Sequence, residues 1–244
     1  MAAEKELKDI QASIDELAKR GKITRNRALA AWYAITFYDL DEDEALEAAA
    51  ADGGNDQGID IAFADTSAEE IVVLQAFCPE RTDKTTPKAK WDAVIASVPY
   101  VKNPALLSQG GRPDLAELLG GLRTKYPDYA VSIGLISLGI KSDAIVRSVH
   151  AHEKDGAHDT FSFFFSPQEE IKTKFQSLLE AEAGIPEDEL RFAGNHFEDN
   201  GEYGRAWIGS VSAAELKRLH GVHGDKLFAG NCRASCQVGQ NAWA

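Results

Sequence analysis

Apolar residues in this chain follow two different periods, and the changes of period mark its elements. Leu7, Ile10, Ile14 and Leu17 recur at spacings of three and four between charged positions, which predicts an amphipathic helix over 4–20 that Gly21 ends. A second helix is expected from Thr24 to Tyr38, carrying Leu29, Trp32, Ile35 and Phe37. Asp41 followed by Glu44 is a capping pattern, and it opens a third, alanine-rich helix over 43–51. The pattern then shortens. Ile61-Ala-Phe63 and Ile71-Val-Val-Leu-Gln75 read as two strands joined by a short polar turn, with Pro79 ending the second.

Beyond the hairpin, helices are expected over 88–98, stopping before Pro99, and over 114–126. Pro104, Gly110, Gly111 and Pro113 make the stretch between them loose. Residues 130–139 read as a buried strand, and Ser142 caps a helix to about Lys154. Residues 160–165 form a further strand with Phe161, Phe163 and Phe165 on one face, and a helix starts at Ser166 or Pro167 and runs to about Ala183. Strands alternating with helices imply an α/β fold with a mixed central sheet flanked by helices. The expected organisation is a main domain over 1–184, a linker over 185–203 and a small α/β appendage over 204–244. That appendage opens with a strand over 206–211 and a helix capped by Ser212.

Composition narrows the class. No apolar run approaches the ~18 residues of a membrane span, and the charged N-terminus has no apolar signal core. The expectation is a soluble cytoplasmic protein with no membrane partner. Three cysteines, Cys78, Cys232 and Cys236, are too few and odd in number for a disulfide framework. The net charge of −13 argues against a surface coated for nucleic acid, because phosphate binding draws on Lys and Arg. It leaves room for a local basic face, and residues 81–90 supply Arg81, Lys84, Lys88 and Lys90.

The candidate chemistry lies at the mouth of the hairpin. The loop Asp52-Gly-Gly-Asn-Asp-Gln-Gly-Ile-Asp60 leads into the first strand, and Gln75 ends the second apolar run. Mg²⁺ takes oxygen ligands and keeps several waters, so a carboxylate and an amide oxygen on adjacent strands form the nucleus of a metal site. Such a metal polarises a phosphate and generates hydroxide for phosphodiester hydrolysis, with a lysine assisting. The same Asp, Asn and Gly residues also suit an ordinary approach loop, and both readings stand at this level. His220 and His223 followed by Cys232 and Cys236 could suggest zinc, but Leu227 and Phe228 between the pairs read as core anchors. His150 and His152 read as surface residues, and no G-x-S-x-G, P-loop or dinucleotide fingerprint is present.

Gly54-Asn-Asp56-Gln-Gly58-Ile59-Asp60, a strand, and then Val73-Leu-Gln75 resembles the G-x-x-D-x-G-I-D … Q-x-K signature of Mrr-like members of the PD-(D/E)xK nucleases. More closely, the chain resembles the N-terminal part of the AIPR family of abortive infection and phage resistance. Leu219-His-Gly-Val-His-Gly-Asp225-Lys-Leu227-Phe228-Ala-Gly-Asn231-Cys-Arg233 is similar to that family's second segment. The resemblance implies a restriction-endonuclease-like core, Mg²⁺ or Mn²⁺ as cofactor, DNA as substrate and a role in prokaryotic phage defence; a homodimer is compatible with it. It carries over Asp60 and Gln75 as metal ligands. Asp56 becomes the motif's first acid, with Glu47 or Glu44 on the preceding helix as a further acidic residue.

Two departures bear on activity. Phe77 stands where the family has lysine, so Lys84, Lys88 or Lys90 would have to reach back into the site. Each of these, taken singly, also reads as part of a solvated face. The chain also stops after Ser235 to Ala244, where family members continue, so a truncated member is expected. The rival readings are a catalytically inactive nuclease-fold module that binds nucleic acid or protein, and a scaffold without nucleic-acid contact.

Overall fold

A computed structural model describes residues 2–49, 57–154, 161–182, 188–201, 204–224 and 227. The chain divides into two compact units, Met1–Phe175 and Gln176–Ala244. The first unit opens with three helices, α1 (Ala2–Gly21), α2 (Arg25–Tyr38) and α3 (Glu42–Ala49). The hairpin strands β1 (Ile61–Asp65) and β2 (Glu70–Phe77) follow, then α4 (Lys88–Lys102), α5 (Ala105–Gln109) and α6 (Pro113–Lys125). The sheet continues with β3 (Ala130–Ser137), α7 (Asp143–Lys154) and β4 (Phe161–Ser166), and α8 (Gln168–Glu182) crosses the boundary between the units.

The sheet has the order β1-β2-β3-β4. β1 is antiparallel to β2, whereas β2, β3 and β4 are parallel, so the fold is α/β with a mixed four-stranded sheet. Helices cover both faces, which is why β2 and β3 read as continuous apolar runs rather than as alternation. Val72, Leu74 and Ala76 pack with Ile10, Ile14, Leu29 and Trp32 in one core. Ile71 and Val73 point the other way, into a core with Trp91, Val94, Leu119 and Ile145. Gly134 of β3 lies opposite Phe164 of β4, and the space of its missing side chain holds the Phe164 ring.

Capping residues sit where the sequence places them. The Thr24 side chain accepts from the Arg27 N–H, and Asp41 Oδ1 accepts from the N–H groups of Asp43 and Glu44. Pro99 departs from expectation, because α4 runs through it to Lys102 instead of stopping before it. Proline there removes the donor for the Ile95 carbonyl. Val98 and Val101, buried on either side of it, hold the helix on the sheet, so core packing outweighs the lost bond.

In the second unit, β5 (Phe192–Gly201) occupies most of the stretch expected to be a linker, a correction to the sequence reading. It pairs antiparallel with β6 (Gly204–Val211), and a register shift falls between Phe192 and His196. Gly194 and Asn195 serve this irregularity rather than a linker. Ser212 caps α9 (Ala213–His223) by accepting from the Glu215 N–H. Arg218 pairs with Glu215 within that helix and ties it to the Glu189 carbonyl, 2.7 Å away. Among the described residues, no helix is long and apolar enough to cross a membrane.

At the turn end of the hairpin, Asp65 and Glu70 are direct cross-strand partners, an unfavourable pairing of like charges. Burial, and then Asp65, push the Glu70 carboxyl above its ordinary range, and burial together with Tyr33 and these acids raises the Tyr38 phenol. Because the folded state holds the Glu70 proton to higher pH than the unfolded chain, stability falls as pH rises through that window. Glu70→Gln is therefore expected to raise stability at neutral pH and to lose that advantage below the ordinary carboxylate pKa. Urea denaturation at both pH values checks this.

Candidate functional site

The hairpin is fixed at both ends. At the turn, Asp65 Oδ1 accepts from the N–H groups of Ser67 at 2.9 Å and Ala68 at 3.1 Å, and Glu69 adopts a φ of 55°. This local chemistry sets the register that pairs Ile61 with Leu74. At the open end, Gly58 has a φ of 79°, and a Cβ there would lie 2.5 Å from the Ala93 carbonyl oxygen of α4. Only glycine lets the loop turn and lie against that helix. Ile59, 2% exposed, follows into the core with Trp91 and Val94.

Asp60 comes next and is held from two directions. Its N–H donates to the Leu74 carbonyl at 2.8 Å, and its Oδ2 accepts from the Ala76 N–H at 2.8 Å. Asp60 precedes β1, so its carboxylate takes the place of a strand carbonyl and satisfies β2 beyond the end of its partner. The two bonds bracket Gln75. Both residues are buried, Asp60 at 7% and Gln75 at 5% exposure.

Gln75 alternates with Leu74 and Ala76 and so shares the face of Ile71 and Val73, toward α4. Its Oε1 is buried and accepts no hydrogen bond from the described residues. An amide oxygen left this way costs about 1–3 kcal/mol, which a polypeptide seldom retains without use. A carboxylate and an unused amide oxygen on neighbouring backbone segments suit a hard divalent cation, with water completing its shell. Among the described residues, no group of three or more His, Cys, Asp and Glu forms a metal cage.

The structure separates the remaining candidates. Phe77 lies two residues beyond Gln75 on the same face, and Lys90 Nζ sits 6.0 Å from the centre of its ring. Lys88, in the first turn of α4, is exposed and ion-paired with Asp92. Lys84 is exposed in the loop after β2, where its carbonyl accepts from the Ile140 N–H at 2.8 Å. Neither is brought to Gln75 by these contacts. Glu44 and Glu47 are exposed on α3, which packs through Ala45, Ala48 and Ala49 into the core on the opposite face of the sheet.

Asp56, Cys232, Cys236, Asp225, Phe228, Asn231 and Arg233 lie outside the described residues. His223 Nε2 is 2.6 Å from Asp188 Oδ2, which commits it to a carboxylate. Sequence reading left Lys84, Lys88 and Lys90 equivalent, yet Lys84 lies in the loop before α4 and helical phase separates Lys88 from Lys90. Lys90, Val94, Val98 and Val101 follow one stripe of α4, and the last three are buried.

Two substitutions test this construction by urea denaturation. Asp60→Ala strands the Ala76 N–H and is expected to lose about 1–3 kcal/mol, with Asp60→Asn losing less because it keeps an acceptor. Gly58→Ala forces a side chain into a left-handed backbone against a helix carbonyl and is expected to lose about 2 kcal/mol or more. Wild-type stability in either alanine variant would show that the loop does not sit as described. Compared with known proteins, the chain matches no family model, no curated protein and no solved structure.

Proposed function

We propose that this chain is a metal-dependent DNA endonuclease module of the AIPR type, acting in prokaryotic phage defence. The observation that carries the reading is the pairing of the Asp60 carboxylate with the buried, unused Oε1 of Gln75 at the open end of a β-hairpin. The order of elements supports it: an Asp before one strand, a Gln on the next, then three helices and a parallel strand.

Asp60 and Gln75 would hold the metal, and the Asp56 position of the motif is the expected third contributor. When bound, Mg²⁺ or Mn²⁺ supplies Lewis acidity at the phosphate and lowers the pKa of water. The chain's own contribution is preorganisation. The Ala76 N–H fixes one carboxylate oxygen, Gly58 seats the loop on α4, and burial of Gln75 keeps its oxygen from being saturated by solvent.

Phe77 favours a second reading. A phenyl ring cannot donate to an anionic transition state, so the site could persist as a catalytically inactive module that binds nucleic acid or a protein partner. Incubation of the purified chain with supercoiled plasmid and Mg²⁺ or Mn²⁺ separates the two. Nicking or linearisation that EDTA stops and Asp60→Asn abolishes supports the nuclease. No cleavage by the wild type, with cleavage gained in Phe77→Lys, identifies the inactive module.

A further inference from the structure

We propose that a cavity at the carboxyl end of β4 binds a small zwitterion, an α-amino acid with an apolar side chain. This site goes beyond the nuclease reading and does not depend on it. The cavity has a volume of about 280 Å³ and lies between α7, the start of α8 and the loop after β3. β3 and β4 run parallel, and an open sheet of parallel strands offers ligands the crevice outside their carboxyl ends. The volume falls just under the ~300–1,000 Å³ of sites for drug-sized molecules, so the occupant is of amino-acid size.

The floor of the cavity is apolar. Val149 of α7 and Phe165 of β4 are buried and line it. An occupant therefore gains by covering them with an apolar group of its own.

The rim carries both signs of charge. Lys141, in the loop after β3, and Glu169, in the first turn of α8, line the same cavity. They form no salt bridge with each other or with any other described residue. A ligand with both a carboxylate and an ammonium satisfies the two, whereas a ligand with one charge leaves the other unused.

Glu170 also lines the cavity, but the protein has already used its charge. Its Oε1 accepts from the buried Ser166 hydroxyl at 3.0 Å and pairs with Lys174 at 3.2 Å. Buried Tyr33 closes this network, with its hydroxyl 3.4 Å from Ser166 Oγ and 3.5 Å from Lys174 Nζ. The uncommitted negative charge of the cavity is therefore Glu169.

His150 decides which end of the ligand goes where. It lines the cavity, and its Nδ1 lies 3.2 Å from Glu153 Oε2. A carboxylate only accepts, so Nδ1 donates there, and Nε2 of the neutral ring is left as an acceptor. An acceptor suits an ammonium and turns away a carboxylate. The ligand ammonium thus belongs with Glu169 and His150, its carboxylate with Lys141, and its side chain on Val149 and Phe165.

Isothermal titration calorimetry of the full chain with L-leucine, L-phenylalanine and glycine tests the assignment. Isoamylamine and isocaproate serve as leucine analogues that each lack one charge. L-Leucine or L-phenylalanine is expected to saturate one site per chain below about 10 mM, with glycine about tenfold weaker because it covers no floor. Each single-charge analogue should bind about tenfold more weakly than L-leucine or worse, the share of one charge-assisted bond. Lys141→Met should cost L-leucine the same factor and leave isoamylamine unchanged. Glu169→Gln should cost L-leucine that factor and leave isocaproate unchanged. Both side chains are exposed, so both variants should keep the wild-type unfolding midpoint. Saturation by neither leucine nor phenylalanine would overturn the proposal. So would a single-charge analogue that binds as tightly as L-leucine, or wild-type leucine affinity in either variant.

Discussion

Asp60 reaches past the end of its own strand and accepts a hydrogen bond from the Ala76 N–H at 2.8 Å. That bond depends on a chain of local constraints. The Asp65 turn fixes the register of β1 on β2, and Gly58 brings the approach loop flat against Ala93 of α4. Ile59 anchors the loop in the core. With these in place the carboxylate cannot swing away from β2, and Gln75 is enclosed beneath it. One tie thus links sheet, loop and helix.

The site departs from what stability alone would select. Gln75 leaves an amide oxygen buried without a partner, and α4 opens with lysines where its dipole favours acids. Each is a local inconsistency, and such inconsistencies concentrate where function sets the residue.

Much of the fold was legible because its signals are local. Thr24, Asp41 and Ser212 cap the helices that follow them, and the alternation of Phe161, Phe163 and Phe165 places one face of β4 in the core. What escaped depended on distant contacts. Pro99 reads as a stop until Val98 and Val101 are seen to hold the helix on the sheet. Gly194 and Asn195 read as linker until β6 pairs across them. At the site, Asp60 and Gln75 were visible as a motif. Their tie through Ala76, the burial of the amide oxygen and the separation of Lys90 from Lys84 and Lys88 required the packing of α4 on β2.

The central claim is that Gln75 is kept for a metal. Titration of the purified chain with Mn²⁺, followed by electron paramagnetic resonance, tests it most directly when wild type, Asp60→Asn and Gln75→Leu are compared with their denaturation midpoints. The account predicts one Mn²⁺ bound per wild-type chain and none in either variant. It also predicts that Gln75→Leu is more stable than the wild type, because an apolar side chain removes the unpaired oxygen. A Gln75→Leu chain that binds Mn²⁺ as the wild type does, or a wild type that binds none, would contradict it.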